Sequence, residues 1–192
     1  PQLLDETALL AVTNRFNTLP CHPMRVHDYP VGSLRIKDRV SPKVSNMTHT
    51  SFEYVTHHWD DYQLFVKTDG LHCIGFVDAT NQQLHLYINK APSWLTFALE
   101  NPPAEDIVLD GEFYFHGAAE AQGVCSFFVF DVYSKGSRCL FTLPLRERLG
   151  MFDAGALRVV GNRLEVHTKR PFGLDQYQQL ASARDLPGSL KR

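Results

Sequence analysis

The feature that most constrains this chain is a change of period near residue 62. From there the sequence breaks into short segments, "YQLFVK", "LHCIGFV", "QLHLYIN", "DIVLDGEFYFHG", "CSFFVFDVY", "CLFTL" and "RLEVHTK", each rich in β-branched and aromatic residues. Turn formers such as "DATNQ" and "SKGS" separate them. Side chains of that kind pack well on a pleated surface, and segments this short with turns between them read as antiparallel strands. Helices are expected at "SWLTFALE", "LPLRERLGMF" and, near the carboxyl end, "LDQYQQLASARDL". At the start, "LLDETALLAVTNRFNTL" spaces Leu3, Leu4, Leu9, Leu10 and Phe16 as an amphipathic helix, with Asp5 and Glu6 near the positive end of its dipole and Pro20 as its stop. Prolines, glycine and scattered charges from Cys21 to Asn46 predict an irregular, extended connection with room for one short strand. The expected architecture is an α+β domain built on antiparallel strands, with residues 1–46 as helix and connection and 47–192 as the main body.

Composition narrows the function classes. With 192 residues, 44% hydrophobic and 21% charged, the chain is large enough to bury a core, and one domain is the default. A net charge of −2 with no basic tail means that a nucleic-acid partner has to be held by a local groove. Cysteines 21, 73, 125 and 139 form no CxxC pair, and the nine histidines form no HxxxH pair. Reduced thiols in an intracellular compartment, nuclear or cytoplasmic, are therefore expected. No apolar run approaches the roughly 18 residues of a membrane span, and no signal segment opens the chain, so no membrane partner is expected. A chain that begins at Pro1 is expected to lack its true amino terminus.

The chemistry centres on one lysine. In "QLFVKTDG" the alternation places Leu64 and Val66 on one face and Phe65 and Lys67 on the other, with Lys67 at the strand end. Such a residue reads either as a solvated lysine beside an Asp-Gly turn or as a nucleophile. An amine with its ordinary pKa of roughly 10.4 is almost wholly protonated at pH 7, so a nucleophilic role requires the site to lower that pKa by about 3 units. Asp69 and Asp110, each before a glycine, read equally well as turn residues.

Three elements in order, "KTDG", then "IVLDGEFYF", then "CSFFVFDVY", resemble the covalent nucleotidyltransferases, the superfamily of messenger-RNA guanylyltransferases (capping enzymes) and DNA and RNA ligases. "LPLRERLGMF", with its Pro-Leu and Arg-Leu-Gly, and "RLEVHTKRPF", a strand ending in lysine and an aromatic, resemble the capping branch, as does the threonine between Lys67 and Asp69. The resemblance spans roughly residues 58 to 175. It implies an antiparallel-sheet, ATP-grasp-like nucleotidyltransferase domain in which Lys67 attacks the α-phosphorus of GTP and passes GMP to the 5′-diphosphate end of RNA. Thr68, Asp69, Gly70 and His72 would belong to the nucleotide-binding loop. Glu112 would accept hydrogen bonds from the ribose hydroxyls or help order a metal. Phe130 would lie against the purine, and Lys169 would donate to guanine O6 and so select GTP over ATP. Mg²⁺ or Mn²⁺ would neutralise the departing pyrophosphate. Against these roles stand plainer ones: an exposed strand carboxylate for Glu112, a core ring for Phe130, and a solvated cationic strand end for Lys169 beside Arg170.

The pattern also breaks. His72 stands where the family carries arginine, and imidazole lacks the bidentate fork of guanidinium. Asn89-Lys90 stands in place of an Asp-Arg pair. The family's later acidic-glycine strand, its Lys-x-Lys strand and its OB-fold domain have no counterpart in these 192 residues. The expectation is an incomplete nucleotidyltransferase domain, completed by further residues or by another protein chain. The competing expectations are a catalytically silent capping-like module that binds RNA ends or protein partners, and an ATP-dependent ligase.

Overall fold

A computed structural model describes residues 2–17, 19, 48–88, 93–115, 125–173 and 176. The chain divides into two compact units, one formed by Pro1–Pro42 with Asp69–Thr168, the other by Lys43–Thr68 with Lys169–Arg192.

The first unit is a mixed helix and sheet structure. Its strands are β1 (Gln2–Leu3), β2 (Leu71–Asp78), β3 (Gln83–Ile88), β4 (Ser93–Ala98), β5 (Ile107–Phe115), β6 (Cys125–Lys135), β7 (Arg138–Cys139) and β8 (Leu164–Thr168). They lie in the order β1-β4-β3-β2-β5-β6-β7, with β8 also on β6. All these pairs are antiparallel except β6 with β8, which is parallel. The strand "RLEVHTK" therefore departs from the expected pattern: α3 (Leu145–Gly150) and the turns after it carry the chain back past β6 before β8 begins, a crossover rather than a hairpin.

Alternation along the strands builds the core. Ile74 and Phe76 of β2 pair with Tyr87 and His85 of β3, and Tyr87 pairs with Trp94 of β4, so one face is almost continuously aromatic. Helix α1 (Glu6–Asn17) covers it with Val12 and Phe16. The Phe16 ring centroid lies 5.4 Å from that of Trp94 and 5.7 Å from that of Phe76. Full burial of a phenylalanine side chain contributes on the order of 2–3 kcal/mol, which explains why a helix of modest amphipathicity is held. Arg15 anchors its last turn, bridging the buried Asp78 at 3.1 Å and Asp106 at 2.9 Å. On the opposite face, the Phe127 ring lies across Gly75 and Gly111; a Cβ at Gly75 would come within 2.9 Å of it. Close approach explains both glycines inside strands.

His85 is a fully buried member of the aromatic face. Its Nδ1 meets Thr96 Oγ1 at 2.9 Å, and its Nε2 has no hydrogen-bond partner among the described residues. Burial pulls its pKa down to about 4, with the Asp78 carboxylate opposing, so the folded state holds it neutral. In the unfolded chain it takes a proton near pH 6.5. Its contribution is thus complete above pH 6.5 and is lost as pH falls from there to about 4, a loss on the order of 3 kcal/mol. Denaturant midpoints measured across that window should fall for the native chain and flatten for His85→Phe; parallel curves would contradict this account.

Several expectations need correction. "SWLTFALE" is strand β4, not helix: with β1 and β3 on either side, Trp94 and Thr96 fill one face and Leu95 and Phe97 the other, and a short apolar run buried on both faces loses its diagnostic period. Within "CLFTL", Cys139 alone is in a strand, and Leu140–Leu143 close a turn through a Leu143 N–H to Leu140 C=O bond of 2.9 Å. "YQLFVK" is not a strand either. In the second unit Leu64 makes a single antiparallel bridge to Phe172, with the Phe172 N–H donating to the Leu64 carbonyl at 2.9 Å, and no ladder continues it to Lys67. Strand propensity without a paired neighbour does not make a strand. This unit also has a helix the sequence reading did not foresee, α2 (His49–His57), started by a Thr48–Ser51 capping box. The expected "LPLRERLGMF" helix is α3. The expected connection over 21–46, the Asn89-Lys90 pair and nearly all of the "LDQYQQLASARDL" helix lie outside the described residues. No helix among the described residues is long and apolar enough to cross a membrane.

Candidate functional site

In the first unit the register of β2 on β5 places His72 directly opposite Glu112, with Asp110 two positions back on the same face. On the far side of β5 the β6 register slips between Asp110 and Gly111, so Phe130 is the extra residue of a bulge. A bulge bends the strand and re-aims a side chain. Its effect here is a near-parallel stack of the Phe130 and His72 rings, centroids 6.2 Å apart and planes 18° apart. His72, Glu112 and Phe130 come from three strands and are each half-buried.

Asp110 organises the cluster. Its position is mid-strand and 2% exposed, which overturns the turn reading. One carboxylate oxygen meets His72 Nε2 at 2.6 Å, and the other accepts from the Tyr133 hydroxyl. A carboxylate at Nε2 fixes a hydrogen there. The sequence offered one signal for this, the Asp110-Gly111-Glu112 run inside an apolar strand, which a turn would not need. Tyr133 carried none.

Gly70 is tied to the same sheet end. A Cβ there would come within 2.8 Å of the Phe113 carbonyl oxygen, so the motif glycine is required by close backbone approach. Asp69 beside it is exposed. Cys73, next to His72, is not a competing nucleophile. Burial first, then the Asp110 and Glu112 carboxylates, hold its thiol well above the ordinary value. Cys73, Cys125 and Cys139 are all free thiols.

The second unit holds the other candidates. Lys67 is exposed, while Thr68 and Lys169 are half-buried. The Leu64–Phe172 bridge runs antiparallel, so Lys67, three residues after Leu64, and Lys169, three before Phe172, lie on the same side of it. The structure thus gathers His72, Glu112 and Phe130 within one unit and the two lysines within the other.

For a divalent cation the donor set is small. Among the described residues no three ligand-type side chains cluster, and both Asp110 oxygens are engaged. Glu112, half-buried beside His72, is the kind of single carboxylate that suits Mg²⁺ or Mn²⁺ bound mainly through nucleotide phosphates and water.

No protein-family model matches the chain, and no curated protein matches it. Among solved structures it is similar to the ligase domain from M. tuberculosis LigD, at 15% identity and a TM-score of 0.43, over 61% of this chain and 42% of that one. The chain spans less than half the length of that structure.

Proposed function

We propose that this chain is part of a covalent nucleotidyltransferase of the guanylyltransferase kind. The observation that carries the reading is the gathering of His72, Glu112 and Phe130, remote in sequence, at one end of one sheet face. Those are three of the positions at which the motif resemblance predicted nucleotide contacts. Glu112 offers a carboxylate to ribose hydroxyls, and Phe130 offers an apolar face to a purine, a stack worth about 1–3 kcal/mol.

Lys67 is the nucleophile of this proposal. Its amine, once deprotonated, forms a bond from Nζ to the α-phosphorus of GTP, and the bond to the bridging oxygen of the β-phosphate breaks, releasing pyrophosphate. An oxygen of a 5′-diphosphate RNA end then attacks that phosphorus, the P–N bond breaks and the amine recovers a proton. Splitting the transfer in two is what the covalent step achieves. Thr68, Asp69 and Gly70 shape the loop that aims the amine. Lys169 donates to guanine O6. A bound Mg²⁺ or Mn²⁺ supplies charge neutralisation of the leaving pyrophosphate. The family's later motifs would come from further residues or from a partner chain.

A second reading draws on a specific observation. His72 replaces the arginine of the family and is engaged with Asp110 at 2.6 Å, which favours a silent module that keeps nucleotide or RNA-end binding without transfer. Intact mass after incubation with GTP and Mg²⁺ or Mn²⁺, on the 192-residue chain and on one extended through the missing motifs, tests both. A GMP-sized increase with GTP is expected. No adduct on a folded extended chain would leave the silent module, and preference for ATP would leave the ligase.

A further inference from the structure

The second unit contains a cleft of about 400 Å³ lined by Trp59, Asp60, Tyr62, Gln63, Pro171 and Phe172. Its walls come from two stretches held by backbone bonds. A 3₁₀ turn, Trp59–Asp61, follows α2 and is closed by the Tyr62 N–H donating to the Trp59 carbonyl at 3.0 Å. The stretch through Phe172 is pinned to Leu64 by the bridge already described. The volume falls within the range of small-ligand pockets, about 300–1,000 Å³.

The lining has a definite chemical character. Trp59, Tyr62 and Phe172 supply aromatic surface, and Asp60 supplies an exposed carboxylate. The side-chain oxygen of Gln63 is buried and has no hydrogen-bond partner among the described residues. None of the described lining residues is a lysine or arginine.

Those features select against phosphate, which meets no lysine or arginine among the described lining residues and is repelled by Asp60, and against a purely apolar segment, which offers Asp60 no cation. They fit a cation that is planar and rich in donors. Aromatic faces attract cations, a carboxylate takes charge-assisted hydrogen bonds, and a guanidinium both stacks on rings and donates several N–H groups at once. We infer that this cleft takes an arginine side chain from a partner peptide. This docking function does not depend on the chemistry proposed for Lys67.

Nuclear magnetic resonance on the isotope-labelled full chain tests it, read at the Trp59 indole N–H and the Gln63 side-chain amide. The probes are the tripeptide Gly-Arg-Gly, capped at both ends, and the same peptide with citrulline, which keeps the shape and lacks the charge. Saturable shifts at both resonances are expected with arginine and not with citrulline, and Asp60→Asn should weaken binding about tenfold. Asp60 is exposed, so that variant is expected to fold. Equal binding of the citrulline peptide, unchanged affinity in Asp60→Asn, or no shift at either resonance overturns the inference. So does displacement of the peptide from these resonances by GTP, which would assign the cleft to nucleotide.

Discussion

Lys67→Arg is expected to eliminate the GMP adduct completely while leaving the fold intact. Arginine keeps the positive charge and nearly the length of lysine, so any role as a solvated or phosphate-contacting cation would survive in part. A guanidinium with a pKa above about 12 has no available lone pair, so the role of nucleophile would not survive. Losing the attacking group from an enzyme that works through a covalent intermediate costs on the order of 10⁶ in rate, which is loss of the adduct on any practical timescale. Lys67 is exposed, and substitutions at such positions usually shift stability by less than about 0.5 kcal/mol, so loss of the adduct will not be confused with unfolding. Persistence of a GMP adduct in Lys67→Arg would place the covalent chemistry on another residue and remove the basis of the proposal.

The second large effect is on stability. Arg148 of α3 reaches Asp131 of β6 with two parallel contacts, Nε to Oδ1 and Nη2 to Oδ2, each 2.7 Å, and its Nη1 donates to the Leu143 carbonyl at 2.6 Å. The two side chains are 13% and 10% exposed. Truncating one member of such a pair strands the other charge in a low-dielectric site, at a cost of about 3–5 kcal/mol. Arg148→Ala should therefore lower the melting temperature by roughly 10 °C in a chain of this size. Arg148→Lys should recover only part, since an ammonium cannot reproduce the fork. Paired removal in Arg148→Met with Asp131→Leu should cost much less than the single change. Equal losses for the single and double variants would show that packing of α3, rather than the pair, holds this corner.

Arg148 and Asp131 also illustrate what could be read in the chain. "FFVFD" and "LRERLG" were legible as a strand and a helix, and the motif resemblance singled out both. Nothing in either suggested that they join, because the fork depends on how α3 returns onto β6. The cluster around His72 repeats the lesson. Glu112 and Phe130 were named from motif positions, yet the ring stack on His72 requires a bulge at Phe130, and a bulge leaves no period for sequence to show. Asp110 read two ways for a related reason: Asp-Gly is a turn signal in isolation, and here it is overridden by β2 on one side of the strand and β6 on the other.

What the sequence alone determined is local. Residues alternating about Ile74, Phe76, His85 and Tyr87 make β2 and β3 a hairpin, since side chains two apart share a face whatever lies beyond. The same holds for α1, where Val12 and Phe16 lie one turn apart and must find a common surface. Tertiary structure decided the rest. "SWLTFALE" became a strand because partners stood on both sides of it, and "YQLFVK" did not because only Leu64 found one. Periodicity is a property of neighbours along the chain, whereas pairing, register and the burial of Asp110 depend on the free energy of bringing distant segments together.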